Sequence, residues 1–151
     1  MEKSNVKPAE GKLGILCVGL GAVSSTFING TLMIRKGLGV PVGSITQLAK
    51  IRVGKGADAQ YKHVSEIVSM PTLDDIVFGA WDILPDNAFE SSMHAEVLRD
   101  RDIYPVKDEL EKIVPMKGVY DPNYVKALEG TWVKDPKATR WELMEQVRED
   151  I

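Results

Sequence analysis

An apolar run, Leu13–Val18, ends in the turn Gly19-Leu20-Gly21-Ala22-Val23-Ser24, and an amphipathic stretch from Val23 to Lys36 follows without a break. That order reads as a buried strand, a tight turn and the N-terminus of a helix. The first turn of a helix carries backbone N–H groups with no intrahelical partner, and the positive end of the helix dipole. A pyrophosphate can sit there if no side chain stands in its way. Gly19 would make the tight turn, Gly21 would let the backbone approach the phosphates, and Ser24 occupies a third position where Gly or Ala is usual. Two readings stand at this point: a nucleotide site, or a strand–helix turn whose glycines serve packing alone.

The rest of the chain continues the alternation of strands and helices. Phe27, Ile28, Thr31, Leu32 and Ile34 supply an apolar face to a helix from about Ala22 to Lys36, with Gly37 as its stop. Gly39 to Gly43 is a broken connection, and the polar, glycine-containing stretch from Ile51 to Tyr61 reads as a loop. Asp75-Ile-Val-Phe-Gly79 is the next clear strand, with Ala80-Trp-Asp-Ile-Leu-Pro85 beyond its C-terminal end. Asp86 or Asn87 caps a helix predicted to reach Arg99, and a short helix is expected from Pro105 to Ile113. Met116 to Pro122 reads as a turn-rich crossing, Asn123 to Leu128 as a short helix, and Thr139 with Glu142 as a capping box that opens the last helix, Trp141–Ile151. Two firm strands make a poor sheet for 151 residues, so the chain is expected to be the N-terminal part of a larger protein, or to need a partner chain over its sheet.

Charge narrows the ligand. Residues 1–57 carry a net +6 and residues 58–151 a net −9, and no acidic residue occurs between Gly11 and Ala57. A positive segment beside a glycine turn suits a phosphate-bearing ligand. The basic residues are not interleaved with aromatics, which argues against nucleic acid. No apolar run approaches the roughly 20 residues that span a bilayer, so no membrane partner is expected. Cys17 is the only cysteine and sits in an apolar strand, which leaves no internal disulfide and makes the cytoplasm the expected compartment.

Few other side chains present chemistry. His63 and His94 have no metal-ligand spacing, and His94 falls in a helical pattern as a surface or satisfied histidine. Ser24-Ser25-Thr26 lacks a His or Asp at nucleophile spacing and reads as helix capping. Trp132 and Trp141 fall in the late helical region, where packing is the default. A dinucleotide fold usually carries an acid about 20 residues past the glycines, to bind the adenosine ribose. Near Ser44 there is none. Either the ribose is phosphorylated and held by Arg35 or Arg52, or an acid comes from elsewhere, and Asp82 is the candidate. A turn or capping aspartate is the alternative reading of Asp82.

Four segments together resemble one family, myo-inositol-1-phosphate synthase: Gly19-Leu-Gly-Ala-Val-Ser24, Gly43-Ser-Ile-Thr-Gln47 with Ile51-Arg-Val-Gly54, Asp74-Asp-Ile-Val-Phe-Gly-Ala-Trp-Asp-Ile83, and Gly118-Val-Tyr-Asp-Pro122. Ala22-Val23-Ser24 is closer to the prokaryotic members, and Gly79-Ala80-Trp81-Asp82 stands where Gly-Gly-Trp-Asp is usual. The resemblance implies an α/β fold, a Rossmann-like doubly wound parallel sheet left incomplete in this chain. Residues 1–11 would form a polar lead, and residues 12–151 the N-terminal part of an NAD-binding domain. By the same resemblance Gly19, Leu20, Gly21, Ala22, Val23 and Ser24 hold NAD phosphates, and Asp82 contacts the ribose. The family cyclises glucose 6-phosphate to inositol phosphate for phospholipid synthesis, and is typically tetrameric. NAD oxidises C5 of the open sugar, which acidifies the neighbouring C–H, and the NADH formed reduces the cyclic ketone. The family's catalytic lysines lie beyond the region resembled, so no catalytic residue is assigned. An NADP-dependent oxidoreductase and a non-catalytic nucleotide-binding module are the alternatives.

Overall fold

The structure, a computed structural model, describes residues 11–151. The polar lead, up to Glu10, lies outside the described residues. Strand β1 (Leu13–Val18) passes through the glycine turn into helix α1 (Ala22–Arg35), as the apolar run and its 3.6-residue sequel dictate. The N–H groups of Gly37 and Leu38 turn back onto the carbonyls of Ile34 and Met33, which closes the C-terminus of α1 in a Schellman motif. An excursion follows: a short helix α2 (Ile45–Leu48), strands β2 (Lys50–Val53) and β3 (Gln60–His63), and a short helix α3 (Val64–Ile67).

The chain then returns as β4 (Ile76–Asp82) and continues through α4 (Ala88–Ala95), α5 (Asp100–Ile103), α6 (Lys107–Leu110), β5 (Met116–Lys117) and α7 (Arg140–Glu149). The main sheet is parallel, in the order β1-β4-β5, with Leu13 opposite Ile76, Val18 opposite Trp81, and Asp82 opposite Lys117. This is the α/β, Rossmann-like arrangement, and it corresponds to three adjacent strands of a doubly wound sheet.

One face of the sheet carries the core. Leu20, Ile28, Leu32, Ala80, Ala88, Ile103, Val106 and Leu110 are buried there, and Cys17 and Phe78 pack against them. Alternation along the strands sends Leu16, Val18 and Val77 to the opposite face, where all three are exposed. Buried polar side chains of α1 bond to backbone carbonyls, within the helix or across to the next layer. The Thr31 hydroxyl donates to the Phe27 carbonyl, and the Asn29 amide donates across to Asp102.

Several expectations need correction. Ile51 to Tyr61 is not a loop. It contains most of an antiparallel hairpin, β2 with β3, whose ladder runs from Lys50 opposite His63 to Val53 opposite Gln60. Ladder hydrogen bonds rather than burial hold this hairpin, and the alternation Lys50-Ile-Arg-Val53 is too short to mark a strand on its own. The helix after Asn87 stops at Ala95, because Glu96 adopts a left-handed φ of 51°. No helix forms over Asn123–Leu128. The Asp121 carboxylate accepts the Asn123 N–H, and the Tyr120 hydroxyl, with its single proton, lies against the carbonyls of both Val125 and Leu128, which fixes turns there. The crossing that begins at Met116 contains the third strand, β5. Trp132 lies in a loop, its indole donating to the Pro115 carbonyl, and Trp141 is exposed on α7.

Candidate functional site

The glycine turn sits at the C-terminal end of β1, where the parallel ladder with β4 runs out. Gly19 has φ 98°, a conformation that L side chains rarely adopt, and its N–H donates to the Trp81 carbonyl at 2.8 Å. Leu20 is 1% exposed and pins the turn to the core. Gly21 is the N-cap of α1. No side chain caps this helix, so its first-turn N–H groups face outward without a side-chain acceptor. The Ser24 hydroxyl does not cap either; it donates to the Gly19 carbonyl at 2.7 Å and braces the turn from inside.

Gly21 shows what this geometry favours. Its φ is −82°, which any residue adopts, and no protein atom lies within 4 Å of where a Cβ would stand. The fold itself therefore has no use for a glycine at this position. A Cβ there would project into the space in front of the helix N-terminus, where an anionic group would approach.

The register of β1 with β4 brings Asp82 to the turn. One carboxylate oxygen accepts the Leu20 N–H at 2.5 Å and the other accepts the Leu84 N–H at 3.0 Å. Asp82 is separated from Leu20 by 62 residues, far more than the usual spacing of about 20 between glycines and acid. The excursion between α1 and β4 accounts for the difference, because it lengthens the crossover without moving the end of the next strand. No acid lies near Ser44, and Asp82 is the acid that the fold brings beside the turn. The alternative, a phosphorylated ribose held by Arg35 or Arg52, loses its support. Arg35 donates to the carbonyls of Leu73 and Ile76, at the far end of β4 from Asp82, and lies over the Phe78 ring. Arg52 is on the β2–β3 hairpin.

Two hollows flank Asp82. One, of about 370 Å³, is mainly apolar and is lined by Gly19, Trp81, Ile83, Gly118, Val119 and Val147. Gly118 has to be glycine for a structural reason: a Cβ would stand 2.9 Å from the Asp82 carbonyl, whose oxygen accepts the Gly118 N–H. The second hollow, of about 270 Å³, lies beside Gly21 and Ala22 and is rimmed by Asp86 and His94. His94, read from sequence as a surface or satisfied histidine, places Nδ1 2.8 Å from the Asp86 carboxylate. The pair is separated by eight residues, a spacing with no recognisable signature. Among the described residues no cluster of His, Cys, Asp and Glu is arranged to hold a metal ion.

Helix α7 is fastened over the first hollow by a partly buried polar cluster. One Asp150 carboxylate oxygen accepts both the Trp81 indole N–H at 2.6 Å and the Lys134 ammonium at 2.8 Å. Lys134 also donates to the Gln146 carbonyl. Burial works against the Asp150 charge, but the bonds from Lys134 and Trp81 outweigh it and hold the carboxyl below its ordinary range. A lowered folded-state pKa means that this contribution is present above the unfolded value and is lost as pH falls through the folded one.

A parallel sheet with a glycine turn at an uncapped helix N-terminus, and an acid on the adjoining strand end, defines a dinucleotide-binding α/β domain. Comparison with known proteins makes this specific. Residues 13–151 match the family model described as Myo-inositol-1-phosphate synthase, an NAD-binding family. The chain is 53% identical over 150 residues to inositol-3-phosphate synthase 1 of Bacteroides thetaiotaomicron, covering 99% of this chain and 34% of that protein. It is 34% identical to inositol-3-phosphate synthase 1 of Oryza sativa subsp. japonica, covering 93% of this chain and 30% of that one. The crystal structure of inositol-3-phosphate synthase from Caenorhabditis elegans superposes with a TM-score of 0.80 at 25% identity, over 93% of this chain and 31% of that one. The chain belongs to the myo-inositol-1-phosphate synthase family, and it spans about a third of the length of the curated relatives it matches. Among the described residues no helix is long and apolar enough to cross a membrane.

Proposed function

We propose that this chain holds NAD for an inositol-3-phosphate synthase, the enzyme that isomerises and cyclises glucose 6-phosphate. The vacant Cβ position of Gly21, in front of the uncapped N-terminus of α1, carries the reading. The first-turn N–H groups of Ala22, Val23 and Ser24 receive the pyrophosphate, with Gly19 and Leu20 shaping the approach. Asp82 accepts from the ribose hydroxyls. Each of its oxygens already takes one backbone N–H and keeps a second lone pair for a ligand. The apolar hollow beside Ile83 and Val119 receives the adenine, whose faces are apolar and whose edge is polar.

NAD, when bound, supplies a hydride acceptor that becomes a donor later in the same cycle. The chain's own part is to bind and orient it. Residues 12–151 are the cofactor-holding part of a larger protein. The positive groups that an enolate and an alkoxide require belong to the two-thirds of the relatives' length not matched here. The same reading makes the whole protein a cytoplasmic homo-oligomer, a tetramer, that serves phospholipid synthesis. The test is turnover of glucose 6-phosphate to inositol phosphate by the full-length protein with NAD, against residues 1–151 alone. Product from the full-length protein only is expected. Product in proportion to the concentration of 1–151 would overturn this division of labour, and activity with NADP in preference to NAD would overturn the assignment of cofactor.

A further inference from the structure

The geometry points to Lys134 and Asp150 as positioning residues for the dinucleotide, acting through helix α7 and Trp81; this rests on the NAD reading above. Among the residues that line the apolar hollow, Val147 is the one that comes from α7. α7 has no buried residue and exposes Trp141 and Met144, so apolar packing does not settle where it lies. The helix is instead fastened at its C-terminal end. Asp150 follows its last turn, and its carboxylate joins two parts of the molecule: the indole of Trp81 on β4 and the ammonium of Lys134 in the preceding loop. Lys134 is 8% exposed and Asp150 20%, so the pair is shielded enough for its geometry to matter. Lys134 also takes the Gln146 carbonyl, which neighbours Val147. The cluster thereby sets the height of Val147 over the hollow.

Trp81 makes the link direct. It lies opposite Val18 at the end of the ladder, its carbonyl accepts the Gly19 N–H, and the next residue is Asp82. A helix docked on the Trp81 indole is therefore docked on the strand end that carries both the glycine turn and the acid. Releasing the indole opens the wall of the hollow and loosens the segment that places the Asp82 carboxylate.

The experiment uses the full-length protein with Asp150→Asn, Val147→Ala and the double variant. NAD and ADP-ribose affinities are measured by calorimetry, and Trp81 is followed by 19F resonance after 5-fluorotryptophan incorporation, assigned with Trp81→Phe. Asp150→Asn should move the Trp81 resonance and weaken both ligands by about 5- to 10-fold. Val147→Ala should weaken them by about 3- to 5-fold alone and by little more in the Asp150→Asn background, because both changes remove the same wall. Independent, multiplicative losses would overturn the inference, as would unchanged affinity with a shifted Trp81 resonance. If Asp150→Asn fails to fold, Val147→Ala alone decides, and full affinity in that variant refutes the role of α7. A wild-type protein that binds neither ligand would instead bring down the NAD reading, and the positioning role with it.

Discussion

The segment β1–α1–β4 and the excursion between α1 and β4 are joined in one chain and obey different rules. The first is organised by burial. Leu20, Ile28 and Ala80 are almost completely excluded from solvent, and the ladder from Leu13 to Val18 is continuous. The second has no buried residue in α2, β2, β3 or α3, and shows Val42, Ile45 and Tyr61 to solvent. It is held by the hairpin ladder and by short caps such as Glu66 accepting the His63 N–H. The difference teaches where ligand geometry can be fixed. A turn pinned by Leu20 and crossed by an Asp82 hydrogen bond is pre-organised, whereas a basic hairpin on the surface attracts anions only diffusely.

The largest expected effect comes from filling the space before α1. Gly21→Val should weaken NAD by about 100-fold or more, through lost contacts to the pyrophosphate, while the melting temperature changes little. Calorimetry and a thermal melt on the same sample check both halves. A variant that binds normally would return Gly21 to a packing role, and one that fails to fold would show that the open space had been misjudged.

Next comes the acid. Asp82→Ala removes the acceptor for the Leu20 and Leu84 N–H groups as well as for the ribose, so it should cost both stability and affinity. About 1–3 kcal/mol of folding free energy and a roughly 10- to 150-fold loss in NAD affinity are expected, with a smaller loss for NADP. Equal losses for the two cofactors would leave Asp82 with its structural role only. In the core, Ile28→Ala should destabilise by about 2–5 kcal/mol in chemical denaturation.

The strand–turn–helix unit was legible in the sequence because burial writes a pattern, and the glycine turn because backbone approach restricts residue type. Asn87 and Thr139 were legible as caps for a similar local reason, and both accept the N–H groups expected. The hairpin is not, since its strands are four residues each and the alternation Lys50-Ile-Arg-Val53 is too short to stand out beside the glycines that follow it. β5 was missed because two residues pair there, too few for a period. The site suffered in the same way. Asp82 stands out in the sequence from its place after a strand and from the resemblance of Gly79-Ala80-Trp81-Asp82, because no acid follows the glycines at the usual spacing. The His94–Asp86 and Lys134–Asp150–Trp81 contacts join residues whose separations carry no signature.

The smallest expected effect lies in the second region. Arg52→Ala should change stability by less than about 0.5 kcal/mol and leave NAD affinity unaltered, because Arg52 is exposed on a hairpin that buries none of its strand residues. A clear loss of affinity would mean that the hairpin reaches the ligand after all, and would erase the contrast between the two regions.

The contrast is tested most directly by hydrogen–deuterium exchange on the full-length protein, with and without saturating NAD. Slower exchange is predicted in peptides covering Leu13–Phe27 and Ala80–Leu84, with none in those covering Lys50–His63. Protection of the hairpin alone, with exchange at Gly19–Ser24 and Asp82 unchanged by NAD, would contradict the placement of the dinucleotide at the glycine turn.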